Sequence, residues 1–287
     1  MRRWISAFLV LLLLCGCSTG AGSPLPQGDC TEPVFDAASA QKTVYGHSGT
    51  GKYELTAYRF GSGKNILLLT FCIHGWEDGF ARDGEALVSL AGAVTDWLGG
   101  QKQLPDEFDW SVYVLPCLNP DGLYLGTGCD GEGRCTLVSD DGCPTDLNRC
   151  FPYRFTPSTD KRYYNGTEPL SCEEARALAD FIATVPGDGK NVSIDVHGWY
   201  QQILTTGGKN ELYRILRQSF PENEYTSLSE GCGYFSAWCG YVLGFDACLL
   251  ELPGEIGSME DYRNSGIEEA FLSALHRILT EYCRRAE

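Results

Sequence analysis

The alternation of short apolar, strand-like runs with segments of helical period sets the tightest limit on what this chain can fold into. Asn65–Phe71 is continuously apolar, as a strand covered on both faces is. Trp110–Leu115, Val192–Val196 and Ala247–Leu252 read as further buried strands. Between them, Leu87, Leu90, Ala91, Val94 and Leu98 repeat at helical spacing and stop at Gly99-Gly100. Ser171-Cys-Glu-Glu174 reads as a capping box opening a helix through about Thr184. Ile267, Phe271, Ala274, Leu275, Ile278 and Tyr282 predict a long final helix. Thr43–Tyr45 and Tyr53–Phe60 flank a Gly-rich turn and predict an antiparallel hairpin. The expected fold class is therefore α/β, a mixed, mostly parallel twisted sheet flanked by helices, with the hairpin at one edge. In such sheets ligands bind beyond the carboxyl ends of strands.

The N-terminus stands apart from this pattern. Arg2-Arg3 precedes an apolar run, Trp4–Leu14, that is shorter than the roughly 20 residues a bilayer requires. That is the shape of a secretory signal, and Leu14-Cys-Gly-Cys17 reads as a lipobox with cleavage before Cys17 and lipidation of its sulfur. Residues 1–17 are thus expected to be a signal peptide, 18–29 a flexible Pro/Gly-rich tether and 30–287 one catalytic domain. The expected location is extracytoplasmic, on the bacterial cell membrane through a lipid anchor only, and the expected state is a monomer. With 22 Lys plus Arg against 38 Asp plus Glu, the chain offers no basic footprint for nucleic acid. Excluding Cys15 and Cys17, twelve of the fourteen cysteines remain, an even number that points to disulfides in an exported chain; short loops suggest Cys129 with Cys135, Cys143 with Cys150 and Cys232 with Cys239, and Cys72 and Cys117 read as a bridge or as buried thiols.

Chemistry gathers where the strands end. The chain has four histidines, and two of them, His74 and His197, follow strand-like runs. His74-Gly-Trp-Glu77 brings an imidazole and a carboxylate close enough for one metal ion, and His197 would complete a His2Glu set with an open fourth position, as catalytic zinc has. A pair of hydrogen-bonded loop or core histidines is the alternative. Further strings follow in order: Asn119-Pro-Asp-Gly122, Asp146-Leu-Asn-Arg149, Tyr164-Asn-Gly-Thr-Glu-Pro-Leu-Ser-Cys-Glu-Glu174, and Glu251 within an apolar strand, thirteen residues after Trp238. Aspartate and glutamate are rarely buried unless paired or functional.

Taken together, these strings resemble the zinc metallocarboxypeptidases of the carboxypeptidase A type, from about Tyr45 to the C-terminus. The resemblance implies a phosphorylase/hydrolase-type α/β/α fold and one zinc ion held by His74, Glu77 and His197. Asp146 would orient His74 from behind. Glu251 would serve as general base, and Asn148 and Arg149 would grip the free C-terminal carboxylate of a peptide substrate. Relatives also carry an oxyanion-stabilising arginine before the Asp-x-Asn-Arg string; Arg134, behind the unusual stretch Gly126–Gly133, is the candidate. The family's capping tyrosine falls at Ser229, with Tyr225 and Tyr234 nearby, of which Tyr234 is favoured. Ala237 replaces an aspartate, and Ser236 stands where relatives often set side-chain preference. The implied activity is zinc-dependent hydrolysis of the C-terminal peptide bond, with peptidoglycan stem peptides as one substrate class. A zinc deacylase of N-acyl amino acids and an inactive surface binding module are the competing readings.

Overall fold

The computed structural model describes residues 40–101 and 103–282. The signal, Cys17 and the tether lie outside the described residues. Eight strands form one sheet in the order β1-β2-β4-β3-β5-β8-β6-β7. The hairpin is β1 (Gln41–His47) and β2 (Glu54–Phe60), antiparallel as expected and longer at its first strand. β2 pairs antiparallel with β4 (Trp110–Leu115). From there β4, β3 (Asn65–Phe71), β5 (Asn191–Gly198) and β8 (Asp246–Leu252) run parallel through the centre. All seven residues of β3 are buried, the burial that its apolar run requires.

Beyond β8 lie two strands the periodicity did not announce, β6 (Gln202–Thr205) and β7 (Glu224–Ser227). Each has four residues, too few for a pattern to register. β6 pairs antiparallel with β8 and parallel with β7.

Helices cover both faces of the sheet. On one face α1 (Gly84–Gly100), α5 (Glu211–Ser219) and α8 (Ile267–Glu281) pack with Leu67, Leu69, Val112 and Ile194 in one apolar cluster. On the other, α4 (Glu173–Ala183) and α6 (Phe235–Tyr241) pack with Ile66, Leu68 and Leu249 in a second. Full burial of such a side chain contributes about 1.5–3 kcal/mol, so two dry layers hold the sheet flat against its helices. Shorter helices are α2 (Leu104–Glu107), α3 (Pro120–Tyr124) and α7 (Met259–Asn264).

Local details depart from expectation in three places. The capping box is not made: Cys172 stands at the N-cap of α4 with no side-chain cap bond, while Ser171 Oγ donates to the Asn165 carbonyl. Asn119 is more than a turn residue, since its side chain accepts from Gly122 N–H and starts α3. The guessed cysteine pairs are not formed. All ten described cysteines are free; the Cys150 thiol is hydrogen-bonded to Cys172 rather than Cys143, and Cys72 to Cys117. Cys72 and Cys117 lie side by side as free thiols, one of the two readings given for them, because β3 and β4 run in register up to Thr70 and Leu115.

Candidate metal centre and catalytic cleft

Strand register assembles the site. His197 closes β5 and is paired in register with Glu251 of β8, and Glu251 is paired in turn with Gln202 of β6. The loop after β3 delivers His74 and Glu77 to the same rim. The ligating atoms of His74, Glu77 and His197 all lie within 4.8 Å of one another, and all three side chains are buried.

Both imidazoles turn Nδ1 toward the Glu77 carboxylate. His74 Nδ1 is 3.0 Å from Oε2, and His197 Nδ1 is 3.2 Å from Oε1 without the alignment of a hydrogen bond, leaving that oxygen unsatisfied. The far nitrogens are held from behind. His74 Nε2 meets Asp146 Oδ1 at 3.1 Å, and His197 Nε2 meets Asp195 Oδ2 at 3.0 Å. Carboxylates behind both rings would fix the tautomer that leaves Nδ1 free to bind a metal. The donor set therefore fits zinc. Four buried carboxylates (Glu77, Asp83, Asp146 and Asp195) stand against one buried arginine, Arg134, so a cation also answers the local charge.

Protonation follows from these contacts. Burial pushes Glu77 upward, but His74 and His197 outweigh it and hold the carboxyl well below the usual range. Burial works against a charged His197, yet Asp195 and Glu77 raise it well above its ordinary value. Asp146 is held well below the usual range, its burial outweighed by Arg134, His74 and Arg149. Glu251 goes the other way: burial lifts it to about 8, with His197 opposing and Glu77 assisting. Its side chain is half-buried rather than enclosed, it lines the cleft, and Oε2 has no hydrogen-bond partner.

A cavity of about 230 Å³ opens beside these groups. Asn148, Arg149, Tyr234 and Arg134 line it, as do Leu204 and Leu249. Asn148 Oδ1 accepts from Phe235 N–H at 3.0 Å, which ties the Asp146–Arg149 segment to the start of α6. The Arg149 guanidinium has no carboxylate partner among the described residues; it stacks 4.3 Å from the Tyr234 ring and 5.1 Å from Tyr163, and donates to the Asn148 carbonyl. Arg134 Nε lies 3.3 Å from Asp146 Oδ2 and its Nη1 3.5 Å from Glu77 Oε2. Of the two candidate tyrosines Tyr234 lines the cavity, together with Tyr163 and Tyr200; Tyr225 packs on Tyr213 elsewhere, and Ser229 bonds Ser227 at the surface. Ser236 is buried with an unpartnered Oγ and does not line this cavity.

Three neighbours escaped the sequence reading. Asp195 carried a signal, since Asp-x-His on one strand puts both side chains on the same face. Asp83 and Arg162 carried none. Arg162 reaches the rim from a loop and bonds Asp78 Oδ2 at 2.6 Å and also Asp130, while Tyr200 Oη donates to the same Asp78 oxygen at 2.7 Å.

Residues 99–234 match the family model described as zinc carboxypeptidase. Bacteriocin BCN5 of Clostridium perfringens is 35% identical over 249 residues, covering 86% of this chain and 26% of that protein. The chain thus spans about a quarter of the length of the curated relative it matches. Among solved structures, carboxypeptidase A from Helicoverpa armigera superposes with a TM-score of 0.64 at 16% identity, over 85% of this chain and 69% of that one. Murein-tripeptide amidase from Escherichia coli O157 gives 0.59 at 23% identity, over 82% and 91%. These solved structures share the mixed sheet and its flanking helices with this chain, and the matched segment, residues 99–234, is that of a zinc carboxypeptidase domain.

Proposed function

We propose that this chain is a zinc-dependent carboxypeptidase that hydrolyses the C-terminal peptide bond of peptides, with peptidoglycan stem peptides as its substrate class. The observation that carries the reading is the placement of Arg149, whose guanidinium has no carboxylate partner among the described residues, and a half-buried carboxylate, Glu251, on one cavity beside the His74–Glu77–His197 cluster. Likeness in fold to a murein-tripeptide amidase favours cell-wall peptides. Zinc held by His74, Glu77 and His197 would polarise the scissile carbonyl and acidify the attacking water.

The chain's own residues do the rest. Asn148 and Arg149 hold the terminal carboxylate of the substrate, Arg149 through the planar fork that matches it, with Tyr234 packed over the guanidinium. Arg134 donates to the carbonyl oxygen as charge develops on it. Glu251 takes a proton from water as the C–O bond forms and hands it to the departing nitrogen as the C–N bond breaks. The leader at residues 1–17, with Cys17 lipidated, would hold a monomeric domain outside the cell membrane.

Metal analysis and mass spectrometry of the purified protein test this together, with matched free-acid and amidated peptides and a muropeptide digest, with and without chelator. Chelator-sensitive release of single C-terminal residues from free acids supports it. Zinc binding with cleavage of N-acyl amino acids alone replaces it with the deacylase reading, and absence of zinc binding with a binding module.

A further inference from the structure

One wholly buried acid has no part in the chemistry above. Asp83 occupies the N-cap of α1, yet its side chain makes no capping bond. Its carboxylate is turned to the metal-site loops instead. Oδ1 accepts the Glu77 N–H at 2.6 Å; Oδ2 accepts the Gly79 N–H at 2.8 Å and the Trp199 indole Nε1–H at 2.9 Å. A single side chain therefore joins the loop that bears His74 and Glu77 to the segment two residues beyond His197. Packing closes the same seam. A Cβ on Gly79 would lie 2.7 Å from Trp199 Cδ1 and Nε1, and the Phe80 ring stacks on Trp199 at 6.5 Å.

A carboxylate here is a poor choice for stability alone. It is a second buried acid beside Glu77, and like charges in a dry region repel. No neutral side chain of similar size offers two acceptor oxygens to three N–H donors at once. The gain is orientation: the Glu77 backbone and the Trp199 ring are held against one rigid group.

We propose that Asp83 is a positioning residue that sets the distance between Glu77 and His197 by bridging the Glu77 amide and the Trp199 indole. The inference rests on the zinc reading above. Asp83→Asn keeps the shape but turns one acceptor into a donor facing an N–H. Its zinc dissociation constant, measured by competition with a chromophoric chelator, is expected to rise about 10–100-fold, the range for partners held behind metal ligands. Asp83→Ser can still cap α1 and is expected not to restore affinity. Trp199→Phe removes the indole donor together with part of the ring's packing on Phe80, and is expected to weaken zinc binding several-fold beyond any loss of stability. Added to Asp83→Asn, it should do little more, because both changes break one shared bond.

Melting of the metal-free variants separates positioning from folding. Zinc affinity that falls while the metal-free midpoint holds supports the proposal. Wild-type affinity in both single variants overturns it, as does weakening that merely tracks lost stability. Should Asp83→Asn fail to fold, Trp199→Phe decides alone. If the unaltered protein binds no zinc, the functional reading and this inference fall together; if it binds zinc and cleaves peptides while both variants bind as tightly, only this inference falls.

Discussion

At the residue scale the contrast between Glu77 and Glu251 carries the most consequence. Both line one cavity, Glu77 from the loop after β3 and Glu251 from β8, but two imidazoles hold Glu77 charged while burial lifts Glu251 to about 8. A general base works when deprotonated, so competence grows as pH rises through the Glu251 value. Bound zinc favours the carboxylate and draws that value down. The acid limb of kcat/KM is therefore expected between the ordinary 4.5 and about 8, with activity lost as pH falls through it. Glu251→Gln should reduce kcat by about 10²–10⁴-fold while zinc content stays at one per chain, checked by hydrolysis rate and metal analysis. Full activity in that variant would remove Glu251 from the mechanism. Arg149→Ala should raise KM for free-acid peptides by roughly 10–100-fold, the worth of a charge-assisted hydrogen bond or two, and leave amidated peptides unchanged. Equal effects on both would remove the carboxylate clamp.

At the element scale, the turn between β1 and β2 is fastened to α4 by a second buried acid. Glu174 Oε1 accepts the Gly49 N–H at 2.7 Å, Oε2 has no partner, and burial lifts the carboxyl to about 7. The folded state thus holds the Glu174 proton more tightly than an unfolded chain with its value near 4.5. Stability from this group is complete below pH 4.5 and is lost as pH rises through about 7, a difference of about 3 kcal/mol. Glu174→Gln keeps the acceptor for Gly49 and cannot ionise. Its Tm should exceed the unaltered protein's by several degrees at pH 8 and match it at pH 4, read by scanning calorimetry. Equal midpoints at both pH values would mean that Glu174 titrates in the fold as it does in the unfolded chain. The helix carrying Glu174 was legible in the sequence; the partner of its acid was not, because Gly49 is 125 positions away.

At the scale of the whole molecule, metal and fold should be linked. Three ligands come from two distant segments, so zinc that binds only the native arrangement stabilises it by about 2.7 kcal/mol at a hundredfold excess over its dissociation constant. Chelator treatment is expected to lower Tm by several degrees and zinc to restore it; an unchanged midpoint would argue against a preformed site. The sequence by itself determined the central strands and the flanking helices, and it singled out His74, Glu77, His197, the Asp146–Arg149 string and Glu251 as candidates that the fold gathers around one cavity. Each of these is written in local residue types or short spacings: strand burial demands apolar runs, and imidazole, carboxylate and thiolate are the few side-chain groups that bind zinc. Only the tertiary structure decided which nitrogen of each histidine faces inward, that Asp195 stands behind His197, and that Tyr234 rather than Tyr225 reaches the cleft. It also decided that Cys150 lies by Cys172, and that Asp83 forsakes its helix to bind Glu77 and Trp199. Those facts depend on strand register and loop packing between residues far apart in the chain, and a contact made by folding leaves no spacing in the sequence to read.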